Sequence, residues 1–184
     1  MSTTKVTIRP AISTDLLQIM EMDHNYATEF GWQMELRNED RTVTVGFRQI
    51  RLPRSTQVVY ARNPKLLADD WTRNHLFIVA EVEGVIIGYL ALARGTLPNT
   101  AHLADFGVER RVRRQGIGTS LVVAALEWAA RNGIQRVIAE MQSKNFPAIS
   151  FVQKHGFAFC GYNDNYYPNK DIALFFCREL KNFG

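Results

Sequence analysis

The chain has 184 residues, 46% of them hydrophobic and 22% charged, which is ordinary globular composition and enough for one domain with a full core. No apolar run is long enough to cross a bilayer, and two cysteines with no zinc-like Cys/His spacing argue against a disulfide scaffold and a metal site. The net charge of +4 raises nucleic-acid binding, yet Arg110, Arg111, Arg113 and Arg114 crowd into one short loop and no basic stripe interleaved with aromatics exists elsewhere, so no nucleic-acid partner is expected.

Met1-Ser2-Thr3-Thr4-Lys5 lacks a secretory h-region, which sets the expectation of a soluble, cytoplasmic protein with free thiols and no membrane partner. Val6 to Arg9 alternates and reads as a strand that Pro10 ends. Ser13-Thr14-Asp15 supplies a helix N-cap, and Leu16, Leu17, Ile19 and Met20 begin an apolar helical stripe. Asp23 to Tyr26 continues or breaks that helix, with His24 a surface or partly packed side chain. Residues 27–75 carry the weakest pattern. Phe30, Trp32, Met34 and Leu36 read as lone anchors. Thr42 to Ile50 alternates through Val43, Val45 and Phe47 as a strand. Arg48, Arg51, Arg54 and Arg62 suit a solvated face, and Leu66, Leu67 and Trp71 give Pro64 to Trp71 helical spacing.

From Leu76 the order is clear. Leu76 to Val82 and Val85 to Ala93 are strands joined by a tight Glu83-Gly84 turn. His102 to Val108 is the next strand. Leu121, Val122, Ala125, Leu126 and Ala129 then recur at helical spacing, and Asn132-Gly133 caps that helix. Val137 to Met141 is a strand. Asn145 opens a short helix that His155-Gly156 ends. Phe157 to Tyr162 and Ile172 to Cys177 close the chain as a hairpin whose simple register sets Cys160 nearer Leu174 than Cys177.

Between the His102–Val108 strand and the long helix lies Arg110-Arg111-Val112-Arg113-Arg114-Gln115-Gly116-Ile117-Gly118-Thr119. The first N–H groups of a helix have no internal partners and the helix dipole adds positive charge there, so this strand–loop–helix junction suits a phosphate or pyrophosphate. The bland alternative is a close-packed helix start with arginines facing water. A dinucleotide fingerprint would need a third glycine where Leu121 stands, and a P-loop would need a lysine that is absent.

What remains, Arg113-x-x-Gly116-x-Gly118, resembles the pyrophosphate-binding signature of the GCN5-related N-acetyltransferases. Asn145-x-x-Ala148 with Gly156-Phe157 is similar to that family's Asn-x-x-Ala … Gly-Phe segment, and the Glu83-Gly84 hairpin leads into Gly88-Tyr89 in the same order. Glu140-Met141-Gln142-x-x-Asn145 and Asn169-Lys170-Asp171-x-Ala173-Leu174 resemble the streptothricin acetyltransferase branch. The resemblance implies an α/β (α+β) fold, the acetyltransferase fold, with a mixed, mostly antiparallel central sheet, splayed central strands and flanking helices. It implies one domain over residues 1–184, with an acceptor-binding part over about 1–75 and an acetyl-coenzyme A-binding core over about 76–180.

It also implies roles. Acetyl-coenzyme A, the co-substrate, would meet Phe106, Gly107, Val108, Arg113, Arg114, Gln115, Gly116, Ile117, Gly118, Thr119 and Asn145. A bulge at Phe106-Gly107-Val108 would free backbone groups for the pantetheine amides and one N–H for the thioester oxyanion. Asn145 would hold the cofactor end or the splayed strands, or simply cap its helix. An ammonium must lose a proton before attack, so a general base is needed. His102 and Asp105 are candidates, with Glu140 a third; strand alternation sets His102, Ala104 and Phe106 on one face and Asp105 on the other. Many relatives carry a general-acid tyrosine seven residues after the helix-opening asparagine, where this chain has Val152. Tyr162, Tyr166, Tyr167 or solvent would then protonate the leaving thiolate.

Three function classes remain: acetyl-coenzyme A-dependent N-acetylation of a primary amine, acyl-coenzyme A binding without turnover, and, weakest, nucleic-acid binding. The acceptor would be a small molecule such as an antibiotic, a polyamine or an amino acid derivative, or else a protein N-terminus or lysine. Whether the chain works alone or as a homodimer is left open by the sequence.

Overall fold

The computed structural model describes residues 6–60, 63–67, 71 and 74–180. Met1 to Lys5, Arg62 and the middle of the Pro64–Trp71 segment lie outside the described residues; of the helical spacing expected there, a 3-10 turn over Pro64–Leu66 is seen.

Strand β1 (Thr7–Pro10) is followed by helix α1 (Asp15–Glu21). The expected Thr14 cap is absent, because Thr14 has helical dihedrals and its side chain makes no cap bond. The Asp15 carboxylate instead fixes the segment before the helix, accepting from Ile12 N at 2.8 Å and from both terminal nitrogens of Arg9 at 2.7 and 2.9 Å. Helix α1 ends at Glu21, and Asp23 to Asn25 form a break that carries His24.

The weakly patterned region is one long antiparallel ribbon of β2 (Tyr26–Glu39) and β3 (Thr42–Val58), separate from the main sheet. Phe30, Trp32, Met34 and Leu36 are therefore not lone anchors. Trp32, Met34 and Leu36 share the ribbon face with their cross-strand neighbours Phe47 and Val45. The ribbon joins the body through Trp32 N–H to the Ser143 carbonyl (2.9 Å) and through ring contacts of Phe30 with Phe146 and Phe47 with Phe159.

The main sheet runs β1-β4-β5-β6-β7-β9-β8, with β4 (Asn74–Val82), β5 (Val85–Arg94), β6 (Thr100–Val108), β7 (Arg136–Gln142), β8 (Ala158–Asn163) and β9 (Ala173–Glu179). Every pairing is antiparallel except β6 with β7, which helix α2 (Ile117–Arg131) connects. Strand β5 is buried from Ile86 to Leu92, because both its faces are covered. Ile78, Ala80, Ile87, Leu90 and Leu92 pack with Leu121, Val122, Ala125 and Ala129 of α2. Phe77, Val79, Ile86, Tyr89 and Ala91 pack with Leu16 and Ile19 of α1. Each buried leucine, isoleucine, valine or phenylalanine among these contributes roughly 1.5–3 kcal/mol, so α2 is held by its stripe rather than by helix propensity alone. Its far end closes as expected: Ile134 N–H reaches the Ala129 carbonyl at 3.0 Å and Gly133 N–H the Ala130 carbonyl at 3.3 Å. Helix α3 (Phe146–Lys154) follows β7.

Two registers differ from the simple expectation. Cys177 stands opposite Ala158, and Cys160 is the extra residue of a bulge between Phe159 and Gly161. The register sets Leu174 opposite Tyr162 and Cys177 only two residues along from the level of Cys160, so the two thiols interact rather than lying apart. In β6 the ladder skips from Asp105, opposite Ala91, to Leu103, opposite Leu92, so the bulge is at Ala104 and not at Phe106-Gly107-Val108.

Candidate active site

The parallel β6–β7 ladder has only four rungs, from Thr100 with Arg136 to Leu103 with Ala139. Beyond them β6 runs on to Val108 and β7 to Gln142 unpaired with each other, and a cleft opens between the two strands. The bulge at Ala104 lies at the mouth of this fork. Tyr60, Leu103, Ala104, Asp105, Phe106, Glu140, Gln142, Asn145, Phe151, Val152 and Tyr167 all line the cleft. The splayed strands of the family fold are thus present, and their cause is local: one extra residue in β6 turns its edge away from β7.

The bulge also reverses the expected faces. Asp105 shares the α1 side with Ala91 and Tyr89, whereas Leu103 and Phe106 pack on the α2 side. By the same register His102, opposite Ala93 and Ile138, lies on the side of Asp105 and inside the paired part of β6, before the cleft begins. His102 is therefore not among the residues that line it.

Asp105 is buried. Three donors converge on its Oδ1: the Tyr60 hydroxyl, the Tyr89 hydroxyl at 2.8 Å and the Phe106 N–H at 2.9 Å. None of the hydrogen bonds among the described residues reaches Oδ2. Across the cleft, Glu140 accepts the Tyr166 hydroxyl at 2.9 Å and the Tyr167 hydroxyl at 3.1 Å. Tyr162 is elsewhere: it lies on β8, half-exposed, with its ring edge-on to Phe47 at 5.2 Å. The tyrosine-rich segment after β8 thus brings Tyr167, not Tyr162, to the cleft. Behind it sits a polar network that sequence reasoning missed. Buried Asp171 accepts from Gln142, Lys144 and Asn169 at 3.1, 2.6 and 2.9 Å, and Tyr26 donates to Gln142 at 3.0 Å. Burial, and then the Asp171 charge, push the Tyr26 phenol far up, so it stays protonated.

At the other end of the cleft, β6 leads through a 3-10 turn (Arg110–Val112) into the glycine loop. Gly116 is the N-cap of α2 with φ of 90°, a conformation that costs a residue with a Cβ, and open space lies where that Cβ would stand. The first N–H groups of α2 have no partner inside the helix, and no side chain crowds the Gly116 turn that precedes them. Arg114 and Gln115 present exposed side chains beside it, and so does Thr119; Ile117 is buried, so it offers only its N–H. Gly118 packs under Phe106 and Phe151.

Several of the expected cofactor contacts are already engaged within the chain. The Arg113 guanidinium is spent on carbonyls: Val108 at 2.8 Å, Asp23 at 2.7 Å and Asn25 at 3.3 Å. It ties the loop to the α1–β2 break instead of facing an anion. Phe106 N–H serves Asp105, so it is not a waiting oxyanion donor. Gly107 stays in the ladder opposite Tyr89, and it is glycine there because a Cβ would stand 2.6 Å from that ring. Asn145 lines the cleft while its Oδ1 accepts from Ala148 N at 3.2 Å, so the capping role is realised. Among the described residues no group of acidic, histidine or cysteine side chains is arranged to hold a metal, and no helix is long and apolar enough to cross a membrane.

Sequence comparison bears on the same residues. An N-alpha-acetyltransferase of Sulfurisphaera tokodaii is 30% identical over 115 residues, covering 56% of this chain and 69% of that protein. Streptothricin acetyltransferase A of Bacillus subtilis is 33% identical over 79 residues, 41% of this chain and 46% of that protein, so the match spans less than half of it. A Bacillus anthracis protein whose crystal structure holds acetyl coenzyme A superposes with a TM-score of 0.76 at 20% identity, over 98% of this chain and 100% of that one, which is a likeness of fold. The profile of the Acetyltransferase (GNAT) family matches residues 44–157, from the ribbon through the fork and glycine loop to the end of α3, and the chain belongs to that family of acetyl-coenzyme A-dependent N-acetyltransferases.

Proposed function

We propose that the protein acetylates a primary amine on a small molecule, with Asp105 as the group that takes the proton from the acceptor. The observation that carries this reading is the Asp105 carboxylate in the cleft, with Oδ1 fixed by three donors and Oδ2 outside all of those bonds. The acceptor ammonium gives one proton to Oδ2. Its nitrogen lone pair then attacks the thioester carbonyl carbon, the C–N bond forms as the C–S bond breaks, and coenzyme A leaves as a thiolate. The second nitrogen proton is lost as the amide forms, and one proton returns to the thiolate. The residues over about 1–75, with the ribbon and Tyr60, are the proposed acceptor wall, and the fork and glycine loop the proposed acetyl-coenzyme A site. The relatives named above include a streptothricin acetyltransferase, which supports the small-molecule reading, and an N-alpha-acetyltransferase, which keeps a protein N-terminus as the alternative.

A second reading rests on Val152, which is buried against the cleft where many relatives have a tyrosine. On that reading the chain binds acyl-coenzyme A without turnover. Coenzyme A release measured against a panel of amines, including a streptothricin, polyamines and amino acids, decides between the two. Turnover that falls roughly 10²–10⁴-fold in Asp105→Asn supports the first. Tight acetyl-coenzyme A binding with no release for any amine supports the second.

A further inference from the structure

His24 was unremarkable in the sequence, yet its Nε2 lies 2.7 Å from the Tyr89 hydroxyl, and its ring stacks on Tyr60 with centroids 5.0 Å apart. Both tyrosines donate to Asp105. Tyr89 is fully buried, and its ring is locked between Phe77 and Gly107. A phenol has one proton. Since Tyr89 spends it on Asp105 Oδ1, the short contact to His24 requires the imidazole to be the donor, which fixes the Nε2–H tautomer. Were the imidazole to accept instead, the Tyr89 proton would turn away and Oδ1 would lose a donor.

We propose that His24 and Tyr89 are positioning residues: His24 Nε2–H holds the Tyr89 proton on Asp105 Oδ1, so that Oδ2 is the oxygen turned to the acceptor amine. The proposal rests on the role given to Asp105 above. It assigns a catalytic consequence to the break after α1, where Arg113 also grips the carbonyls of Asp23 and Asn25 on either side of His24. The same loop that offers its backbone to the cofactor therefore sets the place of the imidazole. Burial lowers the His24 pKa from the ordinary histidine value, against the pull of Asp105, in keeping with a neutral donor.

The test uses the full chain with acetyl-coenzyme A and an accepted amine. His24→Leu and Tyr89→Phe should lower kcat about tenfold, a fraction of what a general base contributes, while the KM for acetyl-coenzyme A stays unchanged. His24→Gln, whose amide N–H can stand in for Nε2–H, should recover most of the loss. Unchanged kcat in His24→Leu, or a loss that His24→Gln shares in full, overturns the proposal. An independent readout is the 15N spectrum of the His24 ring: a dominant Nε2–H tautomer in the parent that relaxes to a mixture in Tyr89→Phe supports it, and equal spectra overturn it. If no amine is turned over, the function proposed above fails, while the spectrum still decides the geometry.

Discussion

The Phe106 ring closes over Gly118: a Cβ on that glycine would stand 3.0 Å from the ring tip, with Phe151 at 3.3 Å behind it. The glycine thus lets the α2 N-terminus and the cleft wall come together. Gly118→Val is expected to push Phe106 into the cleft and weaken acetyl-coenzyme A binding at least about tenfold, near 1.4 kcal/mol. Calorimetry on the folded variant checks this, and an unchanged Kd would remove the loop from the cofactor site.

The two ends of the tyrosine-rich segment should separate kinetically. Tyr167 lines the cleft with its hydroxyl on Glu140, whereas Tyr162 packs on Phe47. If a tyrosine protonates the leaving thiolate, Tyr167→Phe lowers kcat by roughly 10² or more and Tyr162→Phe leaves it intact. The reverse order in steady-state kinetics would refute the assignment.

Acid stability should depend on Asp15. The Arg9 guanidinium holds this buried carboxyl below the usual aspartate range. A group whose folded pKa is depressed adds stability above its unfolded value, near 3.9, and loses it as pH falls through the lower folded value. Urea melts from pH 7 down to pH 2 should show Asp15→Asn less stable than the parent by about 1–3 kcal/mol near neutrality, with the gap closing below about pH 4. A gap independent of pH would mean the ion pair is not its source.

Cys160 and Cys177 are free and side by side. Partial burial, and next the neighbouring Cys177 thiol, push Cys160 up to about 12. Denatured, unreduced protein should return both thiols, and native Cys160 should alkylate at pH 8 much more slowly than a cysteine with the ordinary pKa of about 8.5, since the thiolate is the reactive form. Alkylation at the rate of a free thiol would contradict the shift.

What could be read in the sequence was what repeats at short range. The β4–β5 hairpin announces itself through Glu83-Gly84, and both residues do take positive φ, 49° and 81°. The α2 stripe and its Asn132-Gly133 end follow from spacing alone. Of the ribbon, only the Thr42–Ile50 part of β3 was legible; β2 and the rest of β3 escaped for physical reasons. Its strands are solvated on one side, its turn at Asp40-Arg41 has no glycine, and Pro53 forbids a regular strand. That proline falls where the ladder skips from Thr56 to Arg51, so no bond is lost. The bulge at Ala104 carries no glycine either, and the more visible Gly107 serves the Tyr89 ring. The constellation around Asp105 joins residues 16, 45 and, through Tyr89, 65 positions apart, which no local pattern encodes.

The ribbon and the main sheet share no ladder, and contacts from Tyr26, Phe30, Trp32 and Phe47 join the ribbon to the body. Residues between Trp32 and Phe47 can be lengthened, shortened or recharged without breaking a rung beside the fork. On the proposed reading of the ribbon as acceptor wall, a change of amine would fall to this arm and leave the ladders that shape the cleft as they are.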